Sequence, residues 1–597
     1  MIAPKKISVT INGQVCDGEQ GQTILDIARA HNIYIPTLCY LKGLTPWGGC
    51  RLCVVEIEGS PKVAPACATP AVDGTKITTH SERLVSLRKA TLELLFSERN
   101  HICPMCEYNK GDCGLQHQGY IHGITGIRYP YLYPAMPIDL TAPYFGIDQN
   151  RCILCARCVR TCDEIEGVHT LDIANRGSKN QIVVDMNTTF GASETCTNCG
   201  ACVVSCPTGS LFDKASAFRG QWTSCKQVLT TCTECPVGCG LMVHTKENRI
   251  VNVWGDPDSP VNKGHLCVRG RYQTWAEPRE RITTPLIKGK PATWDEALAA
   301  VKKAAKVKKA EKALLLAPRV TNETAAVAAK ISGAAMYVGA NEAALCAEPK
   351  FSEDALRKLQ DADAIIVLGA QPSRDNGVVA ARIRIAVRKA GAKLLVFHAR
   401  KSDLDQYADV AANVVSLESK LWDKVKATLA NAQRPAIVYG PNAMTPIGIT
   451  VMERLIAILE TNAGSGGPLL LGLPVSANAM AMSQTGIAAI EEIGPWLDAK
   501  PLKFLHIVAS DAPDGGASLL EEKHVPALLE QIECVVVQAS YKSALTEKAS
   551  VVLPATIWCE KSGTVTNLEG RKLTLRPVLP AAGEARDDKA ILEAVFA

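Results

Sequence analysis

The sequence predicts a multidomain chain, α+β and metal-binding in front, with a parallel α/β domain behind. Two observations predict it. Of 24 cysteines in 597 residues, 20 lie between Cys39 and Cys267, and only Cys346, Cys534 and Cys559 follow. From about residue 276 short apolar runs of strand length (313–316, 364–368, 393–397, 436–439, 504–508, 534–538) alternate with helical stretches such as 376–390 and 447–459. Strands buried on both faces by crossover helices have this rhythm.

Bulk properties exclude several classes. Lys and Arg number 65 against 60 Asp and Glu, formally +5, with no block of like charge to form a nucleic-acid arm. The longest basic stretch, 302–312, reads as the solvated face of an alanine-rich helix. No apolar run approaches the roughly 20 residues of a membrane span. Met1-Ile-Ala-Pro-Lys-Lys leads straight into strand-like alternation without an apolar leader. Clustered CxxC runs in a long chain do not fit a secreted disulfide framework. The expectation is a soluble, cytoplasmic protein.

In chain order, residues 1–80 open with two strand signals (7–11 and around 14–17) and a helix-like stretch, 23–31. The spacing Cys39-x10-Cys50-x2-Cys53-x13-Cys67 follows, the order of a β-grasp domain holding one [2Fe–2S] cluster. Gly48-Gly49 lets the backbone approach the sulfurs. Cys16 lies outside the pattern and reads as a buried strand residue.

Residues 81–145 carry Cys103, Cys106 and Cys113. Three cysteines do not complete a four-ligand site, and His101 is the nearest candidate for the fourth ligand of a [4Fe–4S] cluster. His117 and His122 read as solvated or structural.

Residues 146–220 hold Cys152-x2-Cys155-x2-Cys158-x3-Cys162 and its repeat Cys196-x2-Cys199-x2-Cys202-x3-Cys206-Pro207, the two-cluster ferredoxin run. Each loop supplies three thiolates and the fourth comes from the other run. The predicted sets are Cys152, Cys155, Cys158 and Cys206, and Cys196, Cys199, Cys202 and Cys162. Zinc prefers two separated pairs. The segment between the runs, with a strand signal at 181–185, reads as a surface insertion.

Residues 221–275 hold Cys232-x2-Cys235-x3-Cys239-x27-Cys267, a further [4Fe–4S] pattern with strand signals at 240–244 and 249–253. Cys225 is a spare. The totals are one [2Fe–2S] and four [4Fe–4S] clusters.

The order of these sites, with the stretches ERNHICPMC, IRYPYLYP and FGIDQNRCILCARCVRTCDEIEG, resembles the large iron–sulfur subunit of respiratory complex I and its relatives. Those include subunits of NAD-linked formate dehydrogenases and of electron-bifurcating hydrogenases. Over about residues 1–220 the wording is closest to the diaphorase iron–sulfur subunit of bidirectional NAD-linked [NiFe] hydrogenases. His101-x-Cys103 has that branch's spacing, whereas complex I usually separates the pair by three residues. CTECPVGC and LCVRGR resemble the cluster-bearing front of molybdopterin oxidoreductases.

For residues 276–597 the resemblance implies a molybdopterin-oxidoreductase-like α/β domain. Such enzymes place Cys, selenocysteine or Ser on the metal. The nearest candidate, Cys346 in Ala344-Leu345-Cys346-Ala347-Glu348, lacks the adjacent histidine of the formate dehydrogenases. A scaffold without a metal centre is expected, and no molybdopterin. Cys346, Cys534 and Cys559 then read as ordinary buried residues. Glu560-Lys-Ser-Gly-Thr-Val-Thr-Asn567-Leu-Glu-Gly-Arg571 resembles the pterin-proximal loop. Gly-bearing turns after Leu368 and Tyr439 sit where parallel sheets bind ligands, but no dinucleotide fingerprint is present.

The resemblance implies an iron–sulfur electron-relay subunit of an oxidoreductase complex, without a substrate site of its own. Its implied partners are a flavin- and NAD(P)H-binding diaphorase subunit, a thioredoxin-like [2Fe–2S] subunit and a [NiFe] hydrogenase small subunit. The alternatives are the matching subunit of complex I and an electron-transfer subunit of an NAD-linked formate dehydrogenase.

Overall fold

The computed structural model describes residues 5–109, 111–339, 341–347, 351–398, 400–413, 419–460 and 467–596, so the first residues of the N-terminal expectation lie outside it. The chain divides into two compact units, Met1–Cys225 and Lys226–Ala597.

The first unit opens on an antiparallel hairpin, Lys6–Ile11 with Gln14–Glu19. These strands join Lys76–Thr78, Val54–Ile57 and Ala64–Pro65 in a five-stranded mixed sheet. Alternation puts Ile7, Val9 and Ile11 on one face, where they pack with Cys16, Cys53, Cys67 and the helix Ile24–Ala30. A capping box of Thr23 and Asp26 starts that helix. The long helix Glu82–Glu98 is anchored to the sheet by Arg88. Its buried guanidinium donates to the carbonyls of Leu52 and Val54 at 3.2 and 2.8 Å.

Beyond the helix Gly114–Ile121, a small sheet (Leu211–Asp213, Phe145–Asp148, Ile138–Asp139) flanks the two cysteine runs. The segment between the runs forms a hairpin, Leu171–Ala174 with Gln181–Val184. It is not the surface insertion expected. Leu171, Ile182, Val183, Val184 and Phe190 are buried, and Gln149 donates to the Ile182 carbonyl at 2.6 Å. Leu171 and Phe190 line one cavity with Cys162, Cys196, Cys199 and Cys202, so the segment is part of the core around the cysteine loops.

The second unit begins with an antiparallel sheet, Lys226–Thr231, Gly240–Lys246 and Arg249–Gly255. Two larger sheets follow. In one, Val551–Pro554, Cys534–Ala539, Phe504–Ser510, Lys312–Leu316, Ala334–Tyr337 and Ala488–Ile490 run parallel. In the other, Val410–Asn413, Lys393–His398, Ala364–Leu368, Pro435–Tyr439 and Leu469–Gly472 are all parallel. The chain leaves the first sheet after Tyr337, builds the second, and returns at Ala488. The apolar runs announce the strands but not that they belong to two sheets.

The basic stretch 302–312 is helical only at its start. The helix Trp294–Ala304 ends there, a short turn follows, and Lys312 already opens the strand Lys312–Leu316. Among the described residues no helix is long and apolar enough to cross a membrane.

Candidate iron–sulfur sites

Cys39, Cys53 and Cys67 are buried at the edge of the first sheet, and Cys50 is half-buried. Their side chains touch: Cys39 exchanges hydrogen bonds with Cys50 and Cys67, and Cys53 with Cys67. Those neighbours, then the backbone N–H groups of Cys50 and Gly49, hold the Cys39 thiol far below its ordinary range. Gly48 has φ +64°. A Cβ on Gly49 would strike the Trp47 ring, so the close approach there requires glycine.

His101, Cys103, Cys106 and Cys113 line a single cavity of about 20 Å3 with Phe96, Arg151 and Gly209. The His101 ring hydrogen-bonds the Leu95 carbonyl, while Nε2 is buried without a hydrogen-bond partner. Burial, then the nearby Arg151 and Arg99, pushes its pKa down to about 4, so the ring is neutral. A neutral imidazole with one nitrogen fixed by a carbonyl and the other unpartnered, in a cavity it shares with three cysteines, suits a metal ligand. His117 is exposed, and His122 Nδ1 bonds the Gln118 carbonyl at 2.9 Å.

The two ferredoxin-like runs repeat one backbone trick. Leu154 (φ 52°) and Asn198 (φ 54°) are left-handed two residues after each first cysteine. Ala156 (φ 55°) and Gly200 (φ 69°) are left-handed just after each second one. The reversals turn amide N–H groups onto sulfur. Leu154 N donates to Cys152 Sγ at 3.4 Å, with Asn198 serving Cys196, Arg157 serving Cys155 and Ala201 serving Cys199. Each loop then enters a short helix, Arg157–Thr161 or Ala201–Ser205.

Cys162 lines a cavity of about 20 Å3 with Cys196, Cys199 and Cys202, closed by Thr170, Leu171 and Phe190 from the intervening segment. Cys206 lies within electrostatic reach of Cys152, Cys155 and Cys158. Cys206 also lies within electrostatic reach of Cys202 in its own run. Burial pushes Cys152 up to about 11 and Cys155 to about 12. Ionising such thiols together requires a compensating multivalent positive charge, which an iron core supplies.

The Cys152 loop is a hub. Buried Arg160 donates to the carbonyls of Cys39 and Thr45, both at 2.6 Å, and to that of Cys155 at 3.3 Å. On another side, Gly114 N, next to Cys113, donates to the Pro207 carbonyl at 2.7 Å. A Cβ on Gly209 would lie 2.9 Å from Cys106 Sγ. Nothing in the cysteine spacing marks Arg160 as a joint.

In the second unit, Cys232, Cys235 and Cys239 are buried and Cys267 half-buried. Cys239 lies within electrostatic reach of the other three. Cys232 N bonds the Cys239 carbonyl at 2.8 Å, closing the loop. The segment resembling a pterin-proximal loop clamps it: Asn567 Nδ2 donates to the Val237 carbonyl at 3.1 Å, and Leu568 N to that of Pro236 at 2.8 Å.

Beside this loop lies a cavity of about 510 Å3, within the usual range for small-molecule sites. It opens at the carboxyl ends of Lys312–Leu316, Ala334–Tyr337 and Phe504–Ser510, and is lined by Glu234, Arg269, Arg279, Arg319, Tyr337 and Asp514 among others. It is not at the Gly turns expected from sequence. Gly369 and Gly440 face each other's turns so closely that a side chain on either would clash.

Among the described residues no cysteine or histidine lines the cavity. Cys346 is fully buried among Leu316, Met336, Val338 and Met482, and burial pushes its thiol up to about 12. The residues present therefore do not fit a thiolate-held metal; Glu348 lies outside the described residues. Cys559 is buried as expected, but Cys534 is only half-buried, because it opens its strand.

A family model for molybdopterin oxidoreductases matches residues 281–597, more than half of the sequence, and the chain belongs to that family. Upstream, models match for a 2Fe-2S iron-sulfur cluster binding domain (4–82), the NADH-ubiquinone oxidoreductase-G iron-sulfur binding region (88–128), the ferredoxin-like domain of NADH-quinone oxidoreductase subunit 3 (142–212) and the molybdopterin oxidoreductase Fe4S4 domain (225–274). The chain is 28% identical to the NADPH-Fe(3+) oxidoreductase subunit alpha of Geobacter sulfurreducens, over 99% of this chain and 81% of that one. It is 26% identical to the mitochondrial NADH-ubiquinone oxidoreductase 78 kDa subunit of Candida albicans, over 99% and 82%. A solved NAD+-reducing [NiFe]-hydrogenase structure aligns with 36% of this chain and 91% of that chain at 37% identity and TM-score 0.34. The resemblance to the complex I large iron–sulfur subunit is borne out. The chain is an oxidoreductase with 2Fe-2S and 4Fe-4S domains, of the electron-transfer kind found in NAD(P)H-linked complexes.

Proposed function

We propose that this chain is the electron-relay subunit of an NAD(P)-linked [NiFe] hydrogenase, with five clusters held by the twenty residues His101, Cys39, Cys50, Cys53, Cys67, Cys103, Cys106, Cys113, Cys152, Cys155, Cys158, Cys162, Cys196, Cys199, Cys202, Cys206, Cys232, Cys235, Cys239 and Cys267. When bound, the clusters supply one-electron carriers. The observation that carries the reading is the hub, where the loops of three predicted sites share backbone contacts in Met1–Cys225. A conductor needs this arrangement; a substrate-converting enzyme does not. The chain's own residues hold sulfur by amide N–H groups, exclude water by burial, and vary site charge through one imidazole among thiolates.

In this reading electrons enter from a flavin- and NAD(P)H-binding subunit and leave toward a hydrogenase small subunit, with a thioredoxin-like [2Fe–2S] subunit in the same complex. The hydrogenase assignment follows the His101-x-Cys103 spacing. A second reading, an NADPH-oxidising complex with another terminal acceptor, is favoured by the Geobacter relative's match over 99% of the chain. Residues 276–597 are a scaffold without molybdenum, since Cys346 is sealed in the core.

Two measurements test this. Anaerobically purified protein should carry about 18 iron atoms, from one [2Fe–2S] and four [4Fe–4S] clusters, and no stoichiometric pterin. Fewer than about ten irons after reconstitution defeats the five-cluster reading. Purification of the native complex should bring down [NiFe] hydrogenase subunits and hydrogen-dependent NAD(P)+ reduction. Recovery of a quinone module or formate dehydrogenase instead excludes the hydrogenase.

A further inference from the structure

The helix Gly377–Ala390 begins directly against Cys267. A Cβ built on Gly377 would lie 2.7 Å from Cys267 Cβ and 3.7 Å from its Sγ, so only glycine permits this approach. The preceding residues follow the same segment, as Arg269 Nη1 donates to the Asp375 carbonyl at 3.2 Å and Arg269 Nη2 lies 3.6 Å from its carboxylate. Between these two contacts sits Asn376, 2% exposed. Its carbonyl accepts from Val379 N and Ala380 N. Its side chain does not cap the helix, and its Nδ2 has no hydrogen-bond partner.

Leaving a buried amide donor unpaired is costly. Asparagine at this position ordinarily turns its side-chain oxygen onto the helix amides. Here the donor is kept and the cap forgone, beside a thiol predicted to hold iron. We propose that Asn376 Nδ2 and the positive end of the helix Gly377–Ala390 serve the sulfur edge of the Cys232–Cys235–Cys239–Cys267 cluster and raise its potential. Reduction adds one electron to the cluster. A fixed donor and a helix N-terminus stabilise the added negative charge more than the oxidised form. Asn376 is a tuning residue: it carries no electron and moves no proton.

The inference rests on the proposed ligation by these four cysteines, and the experiment separates the two. The full chain is reconstituted anaerobically, and redox-titrated EPR is recorded for the unmodified protein, Cys267→Ala, Asn376→Asp and Asn376→Ala. Cys267→Ala identifies the signal that belongs to this site; if it removes none, the site is wrong and the inference falls with it. Asn376→Ala is expected to lower the reduced-to-oxidised ratio of that signal about tenfold at a given potential, a midpoint about 59 mV lower. Asn376→Asp, which sets a negative charge in the same shape, should lower it further, with iron content unchanged. The other four midpoints should stay in place. Should Asn376→Asp not load iron, Asn376→Ala decides alone. An unmoved midpoint in a fully loaded variant, or equal shifts in every cluster, overturns the proposal.

Discussion

At the scale of single residues, two side chains with unusual protonation mark opposite fates. His101 is neutral and keeps an unpartnered Nε2 in the cavity it shares with Cys103, Cys106 and Cys113. Replacing one thiolate by a neutral ring makes a cluster less negative and raises its potential. His101→Cys should keep the cluster and lower its midpoint, and His101→Ala should leave a labile or three-iron site. Unchanged EPR spectra and midpoints in His101→Ala would show the ring to be structural. Cys346, by contrast, is a thiol pushed up to about 12 inside an apolar cluster. Cys346→Ala should remove no metal. It should cost about 1–2 kcal/mol in a denaturation midpoint, as the loss of a small buried apolar group does.

At the scale of elements, the paired cysteine loops show what sequence discloses and what it hides. The spacing discloses the loops because a cubane needs three thiolates from one short turn, and no other job requires that spacing twice. It hides their backbone, since Leu154 and Ala156 are not residues that announce a left-handed turn. The sister loop states the need openly, with Asn198 and Gly200 at the matching places. Ala156→Gly should therefore stabilise the loaded protein by up to about 1 kcal/mol, and Gly200→Ala should destabilise it by a similar amount. Equal melting temperatures for the two variants would contradict this. Strand positions in the second unit were legible from apolar runs such as 364–368. Their division into two sheets was not, because a parallel strand buried on both faces carries no mark of its neighbour. The hairpin Leu171–Ala174 with Gln181–Val184 was misjudged for a related reason: burial against a cofactor loop leaves no periodic signal of its own.

For the whole molecule, buried neutral histidines contribute to the response to pH, His506 in Lys226–Ala597 among them. His506 is fully buried, its Nε2–H donating to Gln538 Oε1 at 3.2 Å, and burial holds its pKa near 4. The unfolded chain protonates this ring at about 6.5. Its contribution to stability is complete above that value and is lost as pH falls from about 6.5 toward about 4, by up to on the order of 3 kcal/mol. Lys561, raised to about 12 between Asp511 and Asp588, stays charged throughout that window and adds no slope there. Urea titrations of the full chain at pH 7 and pH 5 should show a loss that His506→Gln reduces. A slope unchanged by that substitution assigns the effect to other groups.

The exchange of fourth cysteines expected from the spacing of the two runs would also govern how the protein fails. Oxidative loss of the cluster over Cys152, Cys155 and Cys158 would free Cys206, and with it the end of the helix Ala201–Ser205 that shapes the neighbouring loop. Damage at either position is then inherited by the other. Under oxygen, iron should leave this region in steps of about eight atoms, not four, so repair machinery meets either an intact pair or none.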